Sequence, residues 1–147
     1  MRGRMQFDAF AVYSAAMGVA AEVIPEAQSS DYESGIVQID ADAWHIRTAR
    51  NTPTKSGAFV AFWRRDAKGK IIPFGDLDPA AGLFVFVAQN DRRGMFRSTA
   101  AHLVELGVTS GKGPGKRGFR VYPSWCVALN AQAVSTQRIR ARAFQEF

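Results

Sequence analysis

Three groups of residues in the 147-residue chain have types and spacing that bear on chemistry. The densest is Gly111-Lys112-Gly113-Pro114-Gly115-Lys116-Arg117-Gly118-Phe119-Arg120-Val121-Tyr122. A Gly-Lys pair in a glycine-rich stretch raises the phosphate-binding P-loop, which requires G-x-x-x-x-G-K-[ST] between a strand and a helix. Ser110 stands where the first glycine belongs, Arg117 follows the lysine, and a strand-like run comes next, so that pattern fails. What remains is a cationic loop suited to a sugar-phosphate backbone, with Phe119 and Tyr122 placed to stack on bases. A solvated basic loop with core aromatics accounts for the same residues. The second group is Arg47, Arg50, Lys55, Arg64 and Arg65, which pairing of sequence-adjacent strands would bring to one sheet edge.

The third group is carboxylates. Metal-dependent phosphodiester hydrolysis needs two or three of them, with a lysine, around Mg²⁺. Asp66-Ala67-Lys68 has a D-x-K spacing but falls in a turn with Gly69, and its partners would be Asp40 or Asp42; Asp76 and Asp78 form a second loop pair. Aspartates are common in turns because they bond their own backbone. No catalytic or metal-binding residue is assigned on this basis, and no cofactor is implied. His45 and His102 lie far apart, and Cys126, after Trp125, reads as a small core residue. A lone cysteine excludes an internal disulfide and a zinc site of paired thiolates.

Nineteen Lys and Arg against 13 Asp and Glu give a net charge of +6 and a pI near 10.0, which leans toward a polyanionic partner. The first forty residues hold only Arg2 and Arg4 against six acids, so the basic character belongs to the body of the chain. Asp8 and Glu22 argue against reading Arg2, Arg4 and the alanine-rich stretch behind them as a signal peptide. No run reaches the ~18–20 apolar residues of a membrane span, and the expectation is a cytoplasmic protein.

These side chains must be carried by a small number of elements. Phe10, Met17, Ala21 and Ile24 define a helical stripe that predicts a helix over about 7–24, stopped by Pro25. Ile36–Ile39 reads as a strand, and Trp44–Thr48 as a second, with Trp44, Ile46 and Thr48 inward and His45 and Arg47 on a wet face. Phe59–Arg65 is a central strand, 66–70 a hairpin loop, and Ile71–Phe74 the return. Leu83–Val87 is a buried strand, 90–94 a turn, and Ser98 the N-cap of a short helix ending at Gly107. Phe119–Tyr122 is a strand, and a long helix covers about 130–147. With no repeat and no linker, residues 1–147 form one α+β domain, a mixed β-sheet flanked by helices.

Several blocks resemble one bacterial family, the MepB-like proteins. They are Asp31-Tyr32-Glu33-Ser34; Arg47 through Thr52-Pro53-Thr54-Lys55-Ser56-Gly57 into Phe59-Val60-Ala61-Phe62-Trp63; Gly94-Met95-Phe96; Gly115 through Trp125; and Gln132 with Thr136-Gln137. The resemblance implies a restriction-endonuclease-like core of the PD-(D/E)xK kind and nucleic-acid binding, with the catalytic residues of true nucleases missing. The strand Phe59–Arg65 carries no Asp or Glu, in keeping with that. Two positions depart from the family pattern: Arg50 stands where a lysine is expected and Cys126 where an aspartate is usual. The first keeps a cation with a different geometry, and the second removes a carboxylate.

The sequence therefore points to a non-catalytic protein that binds RNA or single-stranded DNA and has no membrane partner. Lys55, Arg64, Arg65, Lys116, Arg117 and Arg120 are the phosphate contacts, and Phe119 and Tyr122 the stacking residues. The alternatives are a Mg²⁺-dependent nuclease built on Asp40, Asp66, Asp76 or Asp78, and a drug-response interaction protein whose basic surface is incidental.

Overall fold

The computed structural model describes residues 7–26 and 32–147; the Asp31 of the first family block lies outside them. In chain order the elements are α1 (Asp8–Met17), β1 (Val23–Pro25), β2 (Gly35–Ile39), β3 (Asp42–Thr48), β4 (Arg50–Asn51), β5 (Ala58–Ala61), β6 (Arg64–Arg65) and β7 (Ile71–Ile72). There follow β8 (Gly82–Gln89), β9 (Arg92–Thr99), α2 (Ala100–Glu105), β10 (Gly118–Val121), α3 (Ala131–Arg140), a 3₁₀ turn and β11 (Phe144–Glu146).

Two sheets and a ribbon result. The larger sheet has the order β1-β2-β3-β8-β9-β11, and a smaller one has the order β10-β5-β4, while β6 and β7 pair alone. Only β3 and β8 run parallel, Trp44 lying opposite Gly82 and Thr48 opposite Phe86, so the large sheet is mixed and the fold is α+β. Asn90 and Asp91 join β8 to β9 with φ of 49° and 66°, the left-handed pair that a two-residue type I′ hairpin demands.

The large sheet is covered on both faces, which is why Gly82–Val87 is buried without interruption. Phe84 and Phe86 turn one way, joining Trp44, Ile46 and Met95 against Phe10 and Tyr13 of α1. Leu83, Val85 and Val87 turn the other way, toward Val60, Phe62, Phe119 and Val121 of the small-sheet layer and Leu103 of α2.

Some sequence expectations require correction. The first helix stops at Met17, where Gly18 takes a left-handed φ of 68° and its N–H bonds the Ser14 carbonyl. Residues 23–25 pair instead with β2. Ile24, placed on the helical stripe, is 63% exposed; the apolar stripe was too thin to hold a longer helix down. The last helix likewise ends at Arg140, and Phe144–Glu146 adds an edge strand to β9. Gly94 makes room for this, since a Cβ there would sit 2.4 Å from the Phe144 ring. Thr99, not Ser98, caps α2 by accepting from the His102 N–H at 3.2 Å; Ser98 is buried within β9. The strand predicted over 59–65 bends after Ala61, so that Arg64 and Arg65 pair with Ile72 and Ile71. The largest correction concerns β3. Its polar face is not wet, because the small-sheet layer closes over it: His45 is 4% and Arg47 1% exposed.

Candidate functional site

The basic side chains concentrate on the small sheet, the β6–β7 ribbon and their loops. Residues 50–70 carry Arg50, Lys55, Arg64, Arg65, Lys68 and Lys70 against the single acid Asp66, and residues 111–121 carry Lys112, Lys116, Arg117 and Arg120 with none. β10 pairs antiparallel with β5, Gly118 opposite Ala61 and Val121 opposite Ala58, and the Phe62 N–H bonds the Arg117 carbonyl at 3.0 Å. Arg117 and Lys116 therefore enter the sheet where Arg64 and Arg65 leave it. All four are exposed, and so is Lys55 at the opposite end of β5. Arg50, Phe59 and Arg120 lie side by side across the three strands, on the outer face opposite the buried Val60 and Phe119.

Not every cation is equally available. Arg120 donates from Nη2 to the Thr52 hydroxyl and to the Ser56 carbonyl at 3.0 Å, which fixes the 52–57 loop. Arg65 lies over the Trp63 ring and bonds the Gly69 carbonyl at 2.9 Å. Asp66 is used within its hairpin, accepting from the Lys68 and Lys70 N–H groups at 2.9 Å each, and these bonds hold its carboxyl below the usual range. Its D-x-K spacing is turn chemistry.

Gln89 organises the other end of the loop. Its amide nitrogen donates to the Asn51 side-chain oxygen and the Gly57 carbonyl, at 2.9 and 3.0 Å. Its oxygen accepts from the Trp125 indole N–H at 2.9 Å. These residues floor a cavity of about 380 Å³ bordered by Pro53, Lys55, Asn90, Cys126 and Val127. Sequence reading missed Gln89, whose role is visible only once β8 ends beside the loop. Burial raises the Cys126 thiol above its ordinary pKa, the Gly57 backbone contact opposing in part.

The two aromatic candidates separate. Phe119 faces inward, is 6% exposed, and has the Arg140 guanidinium over its ring at 4.5 Å. Its place in the core removes it from the stacking set, because strand alternation turns it opposite to Arg120. Tyr122 is half-buried at the end of β10 and borders a second cavity, of about 290 Å³, against α3.

Between the sheets lies a buried charge cluster. His45 Nδ1 is 3.1 Å from Glu26 Oε1, and its Nε2 is 2.9 Å from Asp78 Oδ2. Arg47 donates to Glu26 at 2.6 Å and to the Ile46 carbonyl at 2.8 Å, with its guanidinium over Phe62. Burial disfavours the His45 imidazolium, but hydrogen bonds to Asp78 and Glu26 and their charges outweigh it, so its pKa is raised. Burial works against the Glu26 and Asp78 carboxylates too, and is outweighed by bonds from His45 and, for Glu26, by Arg47; both are lowered. Desolvation lowers Arg47. The four form a hydrogen-bonded group, two carboxylates facing one guanidinium and one imidazole, that ties the segment after β1 and the β7–β8 loop to β3. The adjoining cavity is only about 20 Å³ and includes the unpartnered Thr109 hydroxyl, room for about one water. Among the described residues, no three His, Cys, Asp or Glu side chains converge as metal ligands, and no helix is long and apolar enough to cross a membrane. Arg47, expected with the basic surface, belongs to this interior cluster.

A mixed six-stranded sheet with a smaller, basic sheet laid across one face defines the structural class, an α+β protein. The MepB-like family model matches residues 26–146, and the chain belongs to that family. The crystal structure of MepB is similar, with a TM-score of 0.84 and 28% identity, over 95% of this chain and 97% of that one. No curated protein matches.

Proposed function

We propose that this protein binds single-stranded nucleic acid, RNA or DNA, through the small sheet and its loops, and that the binding is not coupled to cleavage. The observation that supports the reading is a local excess of positive charge. Residues 50–70 and 111–121 carry ten basic side chains against one acid, Asp66, with Asp76 beside Gly111, and the β5–β10 pairing continues through the Phe62–Arg117 bond toward Arg64 and Arg65, with Lys116 and Arg117 at the same end. Such a strip has the sign to attract a phosphate chain. Lys55, Arg64, Arg65, Lys116 and Arg117 are the phosphate contacts; Arg120 contributes through the loop it holds. Of the four carboxylates a metal-dependent nuclease could use, Asp66 is held in its turn and Asp78 on His45.

Fluorescence anisotropy tests this with labelled single-stranded RNA, single-stranded DNA and duplex of equal length, at low salt, with and without Mg²⁺. The expected result is tighter binding of the single strands and unchanged probe length after incubation. Absence of binding at low salt overturns the reading, and Mg²⁺-dependent shortening of the probe overturns its non-catalytic part.

A further inference from the structure

We propose that the cavity between Tyr122 and α3 receives one unpaired nucleobase of a bound strand, with Arg138 on the adjoining phosphate. The inference rests on the nucleic-acid reading and gives it a base-binding position.

The cavity measures about 290 Å³, with Tyr122, Phe144, Val134 and Ala141 as apolar walls and Arg138 and Ser124 at its rim. That volume is near the lower end of small-molecule sites, roughly 300–1,000 Å³. It has room for one flat ring system. The site is preformed. Gln137 donates to the Pro123 and Cys126 carbonyls at 2.8 and 3.2 Å, locking α3 to the 123–126 turn, so little ordering cost falls on the ligand. Arg138 is exposed, and its guanidinium has no hydrogen-bond or ion-pair partner among the described residues.

Charge and position select the occupant. Residues 131–142 hold no acid, and Arg138 lines the cavity, so the apolar walls are paired with a cation that favours an anion. The mouth adjoins the cationic strip. Tyr122 stands two residues beyond Arg120 and packs on Gly57, where a Cβ would lie 2.6 Å from its ring, and Gly57 closes the loop that carries Lys55. A flat aromatic group attached to a phosphate, continuous with more phosphates toward Lys55, fits all three features. A neutral aromatic side chain of a protein partner would leave Arg138 unused.

The test uses a labelled ten-nucleotide oligouridine and, separately, uridine monophosphate, uridine and inorganic phosphate. Ala141 is exposed just after α3 with helical φ of −58°, so Ala141→Trp fills the groove from an exposed position, against Phe96 at its base. Arg138→Ala is the second variant. Oligouridine affinity should fall about tenfold or more in Ala141→Trp, the equivalent of losing one stacked base, and should fall with a shallower salt dependence in Arg138→Ala. Uridine monophosphate should shift the backbone amide signals of Tyr122, Val134 and Arg138, uridine less so, and phosphate alone should leave Tyr122 and Val134 in place. Unchanged oligouridine affinity in Ala141→Trp, with no monophosphate shift at these residues, overturns the groove while leaving the strip intact. If the wild type binds no oligouridine yet the monophosphate shifts those amides, the strand-binding reading fails and the groove stands.

Discussion

Replacing Glu26 with glutamine perturbs the buried charge cluster at its hinge. Glu26 accepts from Arg47 at 2.6 Å and faces His45 at 3.1 Å. In the variant, Arg47 at 1% exposure loses its carboxylate partner, while Asp78 stays on His45. Removing one partner of a buried pair leaves an uncompensated buried charge, at a cost of about 3–5 kcal/mol. That is a large part of the about 5–15 kcal/mol that holds a domain together. Urea denaturation at pH 7, followed by tryptophan fluorescence, should show the unfolding free energy reduced by this amount through a lower midpoint at unchanged slope. The companion Glu26→Gln/Arg47→Met removes the stranded cation as well and should recover much of the loss. A single variant within about 1 kcal/mol of the wild type, or a double variant as unstable as the sum of its parts, would refute the assignment.

Three further outcomes follow from the same geometry. The pKa of His45 is raised in the folded state, so its contribution is complete below its unfolded value near 6.5 and is lost as pH climbs through the raised value. Glu26 and Asp78 are lowered, so theirs is present above the ordinary carboxylate range and lost as pH falls through the lowered values. Stability measured against pH should therefore peak between those limits, and His45→Gln should flatten the alkaline side; an unchanged alkaline slope contradicts the bridge. Gly82→Ala would place a Cβ 2.0 Å from the Ser98 carbonyl oxygen, a backbone clash that should destabilise by about 1–3 kcal/mol or more, read as a lowered urea midpoint. Phe119→Ala should lose about 3–5 kcal/mol of stability while the folded protein keeps its nucleic-acid affinity in anisotropy titrations; a selective loss of affinity would return Phe119 to the binding surface.

What the sequence made legible was the part governed by local rules. The uninterrupted run Leu83–Val87 announces a buried strand and the residues after it a turn, which tightens to Asn90-Asp91 because β9 already begins at Arg92, and Gly107 ends α2 with the left-handed φ of 74° that its position suggested. The basic blocks around Lys55, Arg64 and Lys116 are visible in one dimension, but their meeting depends on the β5–β10 register. The buried cluster was hidden for a physical reason. Alternation along Trp44–Thr48 says which side chains share a face, not what covers it, and the cover comes from Phe62 and Phe74 in later segments. The one clue was β8, apolar on both faces, which requires layers on both sides of the sheet and so of its neighbour β3. At the chain ends the weak helical stripes lost to edge pairing, where Val23–Pro25 and Phe144–Glu146 satisfy their backbone groups on β2 and β9.

The most direct test of the central claim is the salt dependence of single-strand binding, compared between the wild type and Arg64→Ala/Lys116→Ala. If about four phosphates are neutralised, log K should fall against log salt with a slope of roughly −3 in the wild type. Losing two of the contacts should bring the slope to roughly −1.5 and lower affinity at every salt concentration. A wild-type slope near zero, or a slope that the double variant leaves unchanged, would contradict the account.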